Sequence, residues 1–399
     1  MSAQELGKRL LGEVVEVGLD ELFREIRHLH DNDGQNYFNI PIIDNLLNEM
    51  DQRASNPRPV AEHASENAFA SSPGHPTALA QTTNIRKRRP IVELTSSRTG
   101  AGTTHLLYLI AALAVLPHGL QGTTIGGKDT AIVIIDTDDR FDVQRFARLM
   151  NAHISSVCEE STKDGSSPPN SPQQEHQSPD EVIQRSLEHV HIFRPQSLPS
   201  LVATVTSLES YLFDFSAHLS SRKQLGTIIL DSASAFYWQH RSDEEAARFR
   251  ATERGSSVPK GKSELSVYGR LLKALEKAQD IFDCSVVYTS QSSPISVTSD
   301  NNVGGFRVLT DPPRVLRQLL PPAWTSFPAL TLFLERENAV QFVHGMCVEE
   351  AWPERKMRQD IVEKGRFVAV PGNDIQKRRF TFTITDEGCV FEDLQEEKT

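Results

Sequence analysis

A short turn rich in glycine and hydroxyl residues carries the groups best suited to phosphate chemistry. It reads Ser97-Arg98-Thr99-Gly100-Ala101-Gly102-Thr103-Thr104 and lies in register with the phosphate-binding loop G-x-x-x-x-G-K-[ST]. In an intact loop, backbone N–H groups wrap the phosphates, the lysine reaches the β and γ oxygens, and the hydroxyl residue holds magnesium. In this chain Ser97 replaces the first glycine and Thr103 replaces the lysine. The candidate nucleotide-binding residues of the turn are Ser97, Gly100, Gly102, Thr103 and Thr104.

The missing lysine bears directly on catalysis. An ammonium group held against a polyphosphate contributes to binding and to transition-state stabilisation. We therefore expect hydrolysis of ATP to be very weak or absent, and binding of ATP and Mg²⁺ to be weakened. Backbone amides and a helix N-terminus keep some phosphate affinity without the lysine. A glycine-rich turn that merely joins a strand to a helix is the alternative interpretation.

Three further polar residues follow apolar strand patterns. Asp231 ends one pattern, in the position of an acid that orients magnesium together with Thr104. Asp138 follows an earlier pattern and is the candidate water-activating carboxylate. Gln291 follows a later one, where an amide can sense a γ-phosphate or DNA. The ordinary alternatives are a strand terminator, a solvated turn and a surface amide.

The elements that position these residues have an α/β pattern. Continuous apolar runs alternate with helix patterns, which predicts a mostly parallel central sheet flanked by helices. Beyond Pro328 apolar and polar residues alternate, which predicts antiparallel strands at the C-terminal edge. The predicted parallel strands are 91–94, 131–136, 227–231 and 285–288, the helix after the turn is 104–116, and the alternating runs are 330–334, 340–343 and 380–384.

Composition divides the rest of the chain. Residues 1–50 predict a helical segment that leads into the core, and its apolar face at 19–29 needs a partner in the main domain or in a neighbouring subunit. Residues 51–89 predict a flexible linker. Its basic end, 86–89, is typical of a nuclear import signal, a phosphate contact or a solvated cluster. The core is 90–394 with a disordered insertion at about 159–180, and 395–399 form a tail.

The overall composition excludes several classes of protein. A formal net charge of -11 gives no polycationic footprint, so any contact with DNA must come from local basic clusters. The four cysteines are far apart and form no CxxC pair, which argues against a zinc site and a disulfide framework. No apolar run reaches the roughly 20 residues of a membrane span. We therefore expect a soluble intracellular protein without a membrane partner.

Several runs resemble the RecA superfamily, and within it the eukaryotic paralogues of the strand-exchange recombinase, in particular the X-ray repair cross-complementing protein two family. The most specific run is Leu230-Asp231-Ser232-Ala233-Ser234-Ala235-Phe236-Tyr237-Trp238. The others are Val92-Glu93-Leu94, Leu106-Leu107-Tyr108 and Ile135-Asp136-Thr137-Asp138, with 5–11 and 385–388 at the two ends. The resemblance covers most of 91–391. The family usually retains the loop lysine, and its loss here bears on ATP binding by this chain.

The resemblance implies a RecA-like P-loop ATPase core in a nuclear protein. Such a protein is a subunit of a recombinase-paralogue complex and assists recombinase assembly at double-strand breaks or stalled forks. Its partners are other paralogue subunits and single-stranded or branched DNA, which is bound directly or through the complex. The alternatives are a weak DNA-dependent ATPase that works in trans with a paralogue subunit, and a RecA-fold scaffold outside repair.

DNA contact is expected from two long loops, because in RecA folds the loops after the fourth and fifth core strands face the central axis. Basic and aromatic side chains in such loops suit phosphate pairing and base stacking. The candidate DNA-binding residues are Arg241, Arg248, Arg250 and Arg307.

Overall fold

The computed structural model describes residues 36–55, 88–120, 122–163, 178–253, 266–294, 316–337, 345–372, 379–385 and 388–392. The helices are α1 (Pro41–Ser55), α2 (Thr103–Val115), α3 (Val143–Lys163), α4 (Pro179–Leu187), α5 (Leu198–Phe213), α6 (Tyr237–Glu253), α7 (Val267–Phe282) and α8 (Val348–Lys364). None of these helices is both long and apolar enough to cross a membrane.

The strands form one large sheet and one small hairpin. In chain order they are β1 (Ile91–Ser96), β2 (Gly119–Leu120), β3 (Thr123–Thr124), β4 (Ala131–Asp136), β5 (Val190–Phe193), β6 (Leu225–Asp231), β7 (Ser285–Pro294), β8 (Leu316–Gln318), β9 (Leu330–Arg336), β10 (Arg366–Pro371), β11 (Phe380–Thr385) and β12 (Gly388–Phe391). The large sheet has the order β12-β11-β10-β9-β1-β7-β6-β4-β5, and β8 pairs with β7.

Most of the large sheet is parallel. β1 lies parallel to β7 and β9, and β7, β6, β4 and β5 lie parallel to one another in that order. The short strand β8 is antiparallel to β7. β10, β11 and β12 continue the sheet antiparallel. The predicted fold class, an α/β RecA-like core with antiparallel strands at its C-terminal edge, is confirmed. β9, predicted as antiparallel over 330–334, is antiparallel to β10 and parallel to β1, so it joins the parallel and the antiparallel parts of the sheet.

Successive residues of the central strands point into two separate hydrophobic clusters. Ile132 and Ile134 of β4 lie in the cluster with α1, α2, α3 and α4, whereas Val133 and Ile135 lie in the cluster with α5 and α7. Each fully buried aliphatic side chain contributes about 1.5–3 kcal/mol. A strand buried on both faces reads as a continuous apolar run, which is why β4 was recognised from sequence.

The N-terminal part of the described chain belongs to the same body. α1 continues to Ser55, past the predicted start of the linker at residue 51. Asp44 orders the segment before the helix, because its carboxylate accepts hydrogen bonds from the N–H groups of Tyr37 and Phe38 at 2.9 Å and of Ile40 at 3.1 Å. The apolar face at 19–29, the run 5–11 and the linker from residue 56 to 87 lie outside the described residues.

Both ends of the predicted disordered insertion at 159–180 are helical. α3 continues to Lys163, and α4 begins at Pro179. Ser178 caps α4 by accepting a hydrogen bond from the N–H of Glu181, whose carboxylate accepts one from the N–H of Ser178. The predicted insertion was therefore too long at both ends. Residues 164–177 and the predicted strand 340–343 lie outside the described residues.

Candidate nucleotide site

The loop from residue 97 to 102 joins the end of β1 to the start of α2, as the phosphate-binding pattern predicts. Gly100 and Gly102 have φ angles of 75° and 88°, in the left-handed region that glycine adopts without strain. Thr103 and Thr104 form the half-buried first turn of α2, and this helix has no side-chain cap and no acid in its first turn. The positive end of the helix dipole is thus directed to the loop.

Packing behind the loop fixes its second glycine. A Cβ atom on Gly102 would lie 3.0 Å from Cδ1 of Phe367, 3.1 Å from Cδ1 of Ile384 and 3.3 Å from Cε2 of Phe382. The rings of Phe367 and Phe382 are stacked with centroids 5.4 Å apart. The antiparallel strands β10 and β11 therefore form the support against which the loop turns.

Asp231 lies at the carboxyl end of β6, directly opposite Asp136 of β4. Its Oδ1 accepts a hydrogen bond from the hydroxyl of Thr289 in β7. Burial raises the pKa of Asp231, and repulsion from Asp138 and Asp136 raises it further, while the Thr289 hydrogen bond and the charge of Arg140 act in the opposite direction. The structure thus brings Asp138, which is exposed, into the electrostatic environment of Asp231.

The segment that carries Asp138 is anchored by its neighbour Asp136. This buried carboxylate accepts hydrogen bonds at 3.0 Å from the N–H groups of Arg140 and Phe141. It also accepts one at 3.4 Å from Nε of Arg194. Asp136 is therefore a structural residue of the turn after β4.

Hydroxyl groups tie the carboxyl ends of β4, β6 and β7 together. The hydroxyl of Thr137 donates to the carbonyl of Ser232 at 2.9 Å and accepts from the Ser232 N–H at 2.6 Å. The hydroxyls of Ser232 and Ser234 are 3.0 Å apart, and Ser234 Oγ accepts a hydrogen bond from the N–H of Gln291 at 3.0 Å. Thr137, Ser232 and Ser234 thus link the three strand ends through hydrogen bonds. Sequence reasoning quoted these residues within the family runs but gave them no role.

Gln291 lies inside β7, and the prediction that it follows the strand was wrong. β7 continues to Pro294, and Gln291 pairs across the sheet with Ser96, the last residue of β1. Its side chain is exposed beside the start of the loop. Gln291 thus lies beside the loop, and its contact with a ligand stays a prediction.

The loop is better suited to binding a phosphate group than to catalysing phosphate hydrolysis. Its uncapped helix N-terminus and its left-handed glycines suit phosphate oxygens, whereas Thr103 brings no charge to the position of the lysine. Thr104 and Asp231 are the residues that would hold Mg²⁺. One carboxylate oxygen of Asp231 already accepts a hydrogen bond from the hydroxyl of Thr289. In the described ranges no group of three or more His, Cys, Asp or Glu side chains is arranged to bind a metal ion.

Three of the four candidate DNA-binding arginines, Arg241, Arg248 and Arg250, lie on a helix, and the prediction of a long loop there was wrong. α6 covers Tyr237–Glu253, and Arg241 and Arg248 pair along it with Glu245 at 3.1 Å and Glu244 at 4.0 Å. Arg250 is exposed. Arg307 lies outside the described residues.

The basic run at 86–89 is partly engaged within the fold. Arg88 pairs with Asp280 of α7 at 3.1 Å, and Arg89 lies 4.0 Å from Asp283. Residues 86 and 87 are outside the described part of the chain. The two described arginines therefore contribute to docking β1 beside α7.

The chain is similar to curated proteins, among them a DNA repair protein. No model of a protein family matches the chain. The chain is 28% identical to the DNA repair protein XRCC2 of Mus musculus over 176 residues, which are 44% of this chain and 48% of the mouse protein. It thus spans about half the length of the curated relative that it matches. The resemblance predicted from the short runs is confirmed.

Proposed function

We propose that this chain acts in the nucleus in DNA repair by homologous recombination. It is a subunit of a recombinase-paralogue complex and assists assembly of the recombinase at double-strand breaks or stalled forks. The observation that carries the proposal is the similarity to the DNA repair protein XRCC2, in a chain whose described part is a RecA-like core. DNA is contacted directly or through the partner subunits.

The nucleotide site supports a role in assembly over a role in ATP turnover. Stabilisation of the negative charge that develops in the transition state is commonly the largest catalytic contribution. Thr103, at the position of the lysine, supplies no cation for it. Asp231 lies where burial and two neighbouring carboxylates oppose its ionisation. The chain therefore has no independent ATPase activity.

Exposed aromatic side chains also support a subunit role. Trp238 and Phe249 on α6 are 60% and 68% exposed, and Trp352 on α8 is 66% exposed. Trp238 and Phe249 are eleven residues apart, which places them on one face of the helix. Large aromatic residues are the side chains that contribute most to protein interfaces.

Imaging of the recombinase in damaged cells tests the function. Cells that lack this chain should form fewer recombinase foci after induced double-strand breaks. Re-expression of the wild-type chain and of Asp231→Asn should restore the foci equally, because assembly does not use turnover. Unchanged foci in cells without the chain would contradict the proposed role.

A second candidate is a weak DNA-dependent ATPase in which a paralogue subunit supplies the missing cation. This second function is favoured by the position of Thr104, Asp231 and Asp138, which follow or end parallel strands at the carboxyl side of the sheet. In the purified complex, Asp231→Asn would then abolish DNA-stimulated ATP hydrolysis. Turnover that is unchanged in this variant excludes the second candidate.

A further inference from the structure

A cavity of about 180 Å³ lies beside the loop, on the side of β9. One wall is formed by the loop residues from 98 to 101, and the other by Leu334, Glu335 and Arg336 at the end of β9. β1 and β9 are parallel and in register up to the pair Thr95 and Phe333. Beyond this pair β1 gives way to the loop, whereas β9 continues to Arg336 in its pairing with β10, and the cavity lies between the loop and this last part of β9.

The lining of this cavity has a positive balance of charge. Arg98 and Arg336 contribute two guanidinium groups, and Glu335 contributes one carboxylate. Within the described part of the chain neither guanidinium takes part in an ion pair. The guanidinium of Arg336 lies 6.0 Å from the ring centroid of Phe367, and this cation–π contact holds it at the end of β9.

The loop adds backbone groups to the same cavity. Gly100 is exposed, and a Cβ atom built on it would meet no other atom within 4 Å. The backbone of the loop is thus open to a ligand. Guanidinium groups bind phosphate through paired hydrogen bonds, which a lysine ammonium does not form.

We propose that Arg98 and Arg336 bind the phosphate groups of a nucleoside triphosphate in this cavity, and so supply positive charge to a nucleotide site whose lysine position is occupied by Thr103. The proposal rests on the degenerate nucleotide site described under the proposed function. The nucleotide is then a ligand that stabilises the subunit, and no bond in it is broken. Binding and turnover are separate properties of this site.

Equilibrium dialysis of the full chain against radiolabelled ATP with Mg²⁺ tests the proposal. Arg98→Ala and Arg336→Ala should each weaken binding about tenfold, the change that loss of one charge-assisted contact of about 1.4 kcal/mol produces. Arg336→Lys should retain part of the affinity, because it keeps the charge. Arg88→Ala, which removes an arginine paired with Asp280, is the matched control and should bind as the wild-type chain does.

The competitors define which part of the nucleotide is recognised. Inorganic tripolyphosphate should displace ATP, whereas adenosine should not. Absence of ATP binding by the wild-type chain, alanine variants that bind ATP as tightly as the wild-type chain, or displacement by a single-stranded oligonucleotide but not by tripolyphosphate would each overturn the proposal. Arg98 is in an exposed loop, so its variant remains informative if Arg336→Ala fails to fold.

Different results contradict the proposed function and this inference. Recovery of paralogue subunits by an Arg98→Ala, Arg336→Ala double variant supports the assembly role whatever the result of the dialysis. ATP binding that depends on the two arginines supports the inference even if no paralogue subunit is recovered.

Discussion

Asp231 is a buried carboxylate whose ionisation is opposed by its surroundings. Its carboxylate is buried near Asp136 and Asp138, and both burial and repulsion raise its pKa. A carboxyl whose pKa is higher in the folded than in the unfolded protein favours folding in its protonated form. Its contribution to stability therefore falls as pH rises from its ordinary pKa to its folded pKa.

Replacement of Asp231 by Asn should stabilise the chain at neutral pH. The amide removes the buried charge and its repulsion, while its oxygen still accepts the hydrogen bond from Thr289. We expect thermal unfolding at pH 7 to shift upward by about 2–4 °C, the equivalent of about 1 kcal/mol. The gain should shrink as the pH is lowered, because protonation removes the buried charge of the wild-type carboxyl. Asp243→Asn, on the exposed face of α6, should leave the midpoint unchanged, and a lower midpoint for Asp231→Asn would contradict the account.

Glu93 is a second buried carboxylate, located in β1 directly before the loop. It accepts hydrogen bonds from the hydroxyl of Ser290 at 2.7 Å, from Nε2 of Gln318 at 2.9 Å and from the hydroxyl of Thr331 at 3.1 Å. Burial raises its pKa, while the three hydrogen bonds lower it. Glu93 thus joins β1 to β7, β8 and β9.

Removal of the Glu93 carboxylate should destabilise the protein. Glu93→Ala leaves three donors without their acceptor and opens a cavity, and we expect a loss of about 3 kcal/mol in the free energy of unfolding. Glu93→Gln keeps one acceptor oxygen and should lose less. It should also abolish the decline in stability that the wild-type carboxyl causes as pH rises above 4.5 towards its folded pKa. Urea unfolding measures both variants, and equal stability of Glu93→Ala and wild type would exclude this role.

At the scale of elements, the sequence predicts the strands whose residues are apolar and misassigns those whose polar residues are buried. β7 was ended at Tyr288 because Thr289, Ser290 and Gln291 are polar. The first two are buried, since Thr289 donates to Asp231 and Ser290 donates to Glu93. A pattern of hydrophobicity cannot distinguish such internal partners from solvent.

The parallel pairing of β9 with β1 was not predicted, for the same reason. The alternation of Leu330, Leu332 and Leu334 with polar residues is typical of an antiparallel strand with one solvated face. Thr331 is nevertheless buried, because its hydroxyl donates to Glu93. The residue that looked solvent-facing is part of the internal hydrogen-bond network.

α6 was predicted as a loop because it lacks an apolar stripe. Its charged residues instead form pairs four positions apart, Arg241 with Glu245 and Arg248 with Glu244. Each such pair contributes only about 0.3–0.5 kcal/mol. Apolar periodicity, the main signal for helices in sequence, is weak in a helix of this kind.

Alanine substitutions at the two loop glycines distinguish the cost of backbone strain from the cost of a packing clash. Both have positive φ, so alanine at either position costs about 1–2 kcal/mol of strain. Gly102→Ala also forces its Cβ against Phe367 and Phe382, whereas Gly100→Ala meets open space. We expect Gly102→Ala to lose about 2 kcal/mol more than Gly100→Ala in urea unfolding. Equal losses would show that β10 and β11 do not support the loop.

For the whole molecule, the segment before the linker completes the main hydrophobic cluster. Tyr37, Phe38, Ile40, Ile43 and Leu47 are buried in the cluster that contains α2 and α3. The sequence indicated a helical segment near this terminus but not that its C-terminal part is built into the core. The cause is that residues 36–40 have no periodic pattern and are ordered by the side chain of Asp44.

Two truncations test this role of the N-terminal segment. Removal of residues 1–55 should expose the apolar surface beneath α1 and lower the thermal midpoint by 10 °C or more, on the order of three buried side chains at about 1.5–3 kcal/mol each. Removal of residues 1–35 leaves the described contacts intact and is the matched control for stability. Equal midpoints for the two truncations would show that α1 does not stabilise the core.

Purification of the tagged chain from nuclear extract, with nuclease added to remove bridging DNA, tests the central claim most directly. If the chain is a repair-complex subunit, recombinase paralogues should be retained with the wild-type chain and with Asp231→Asn alike. Retention of other proteins without any recombinase relative would contradict the claim and would favour a RecA-fold scaffold outside repair.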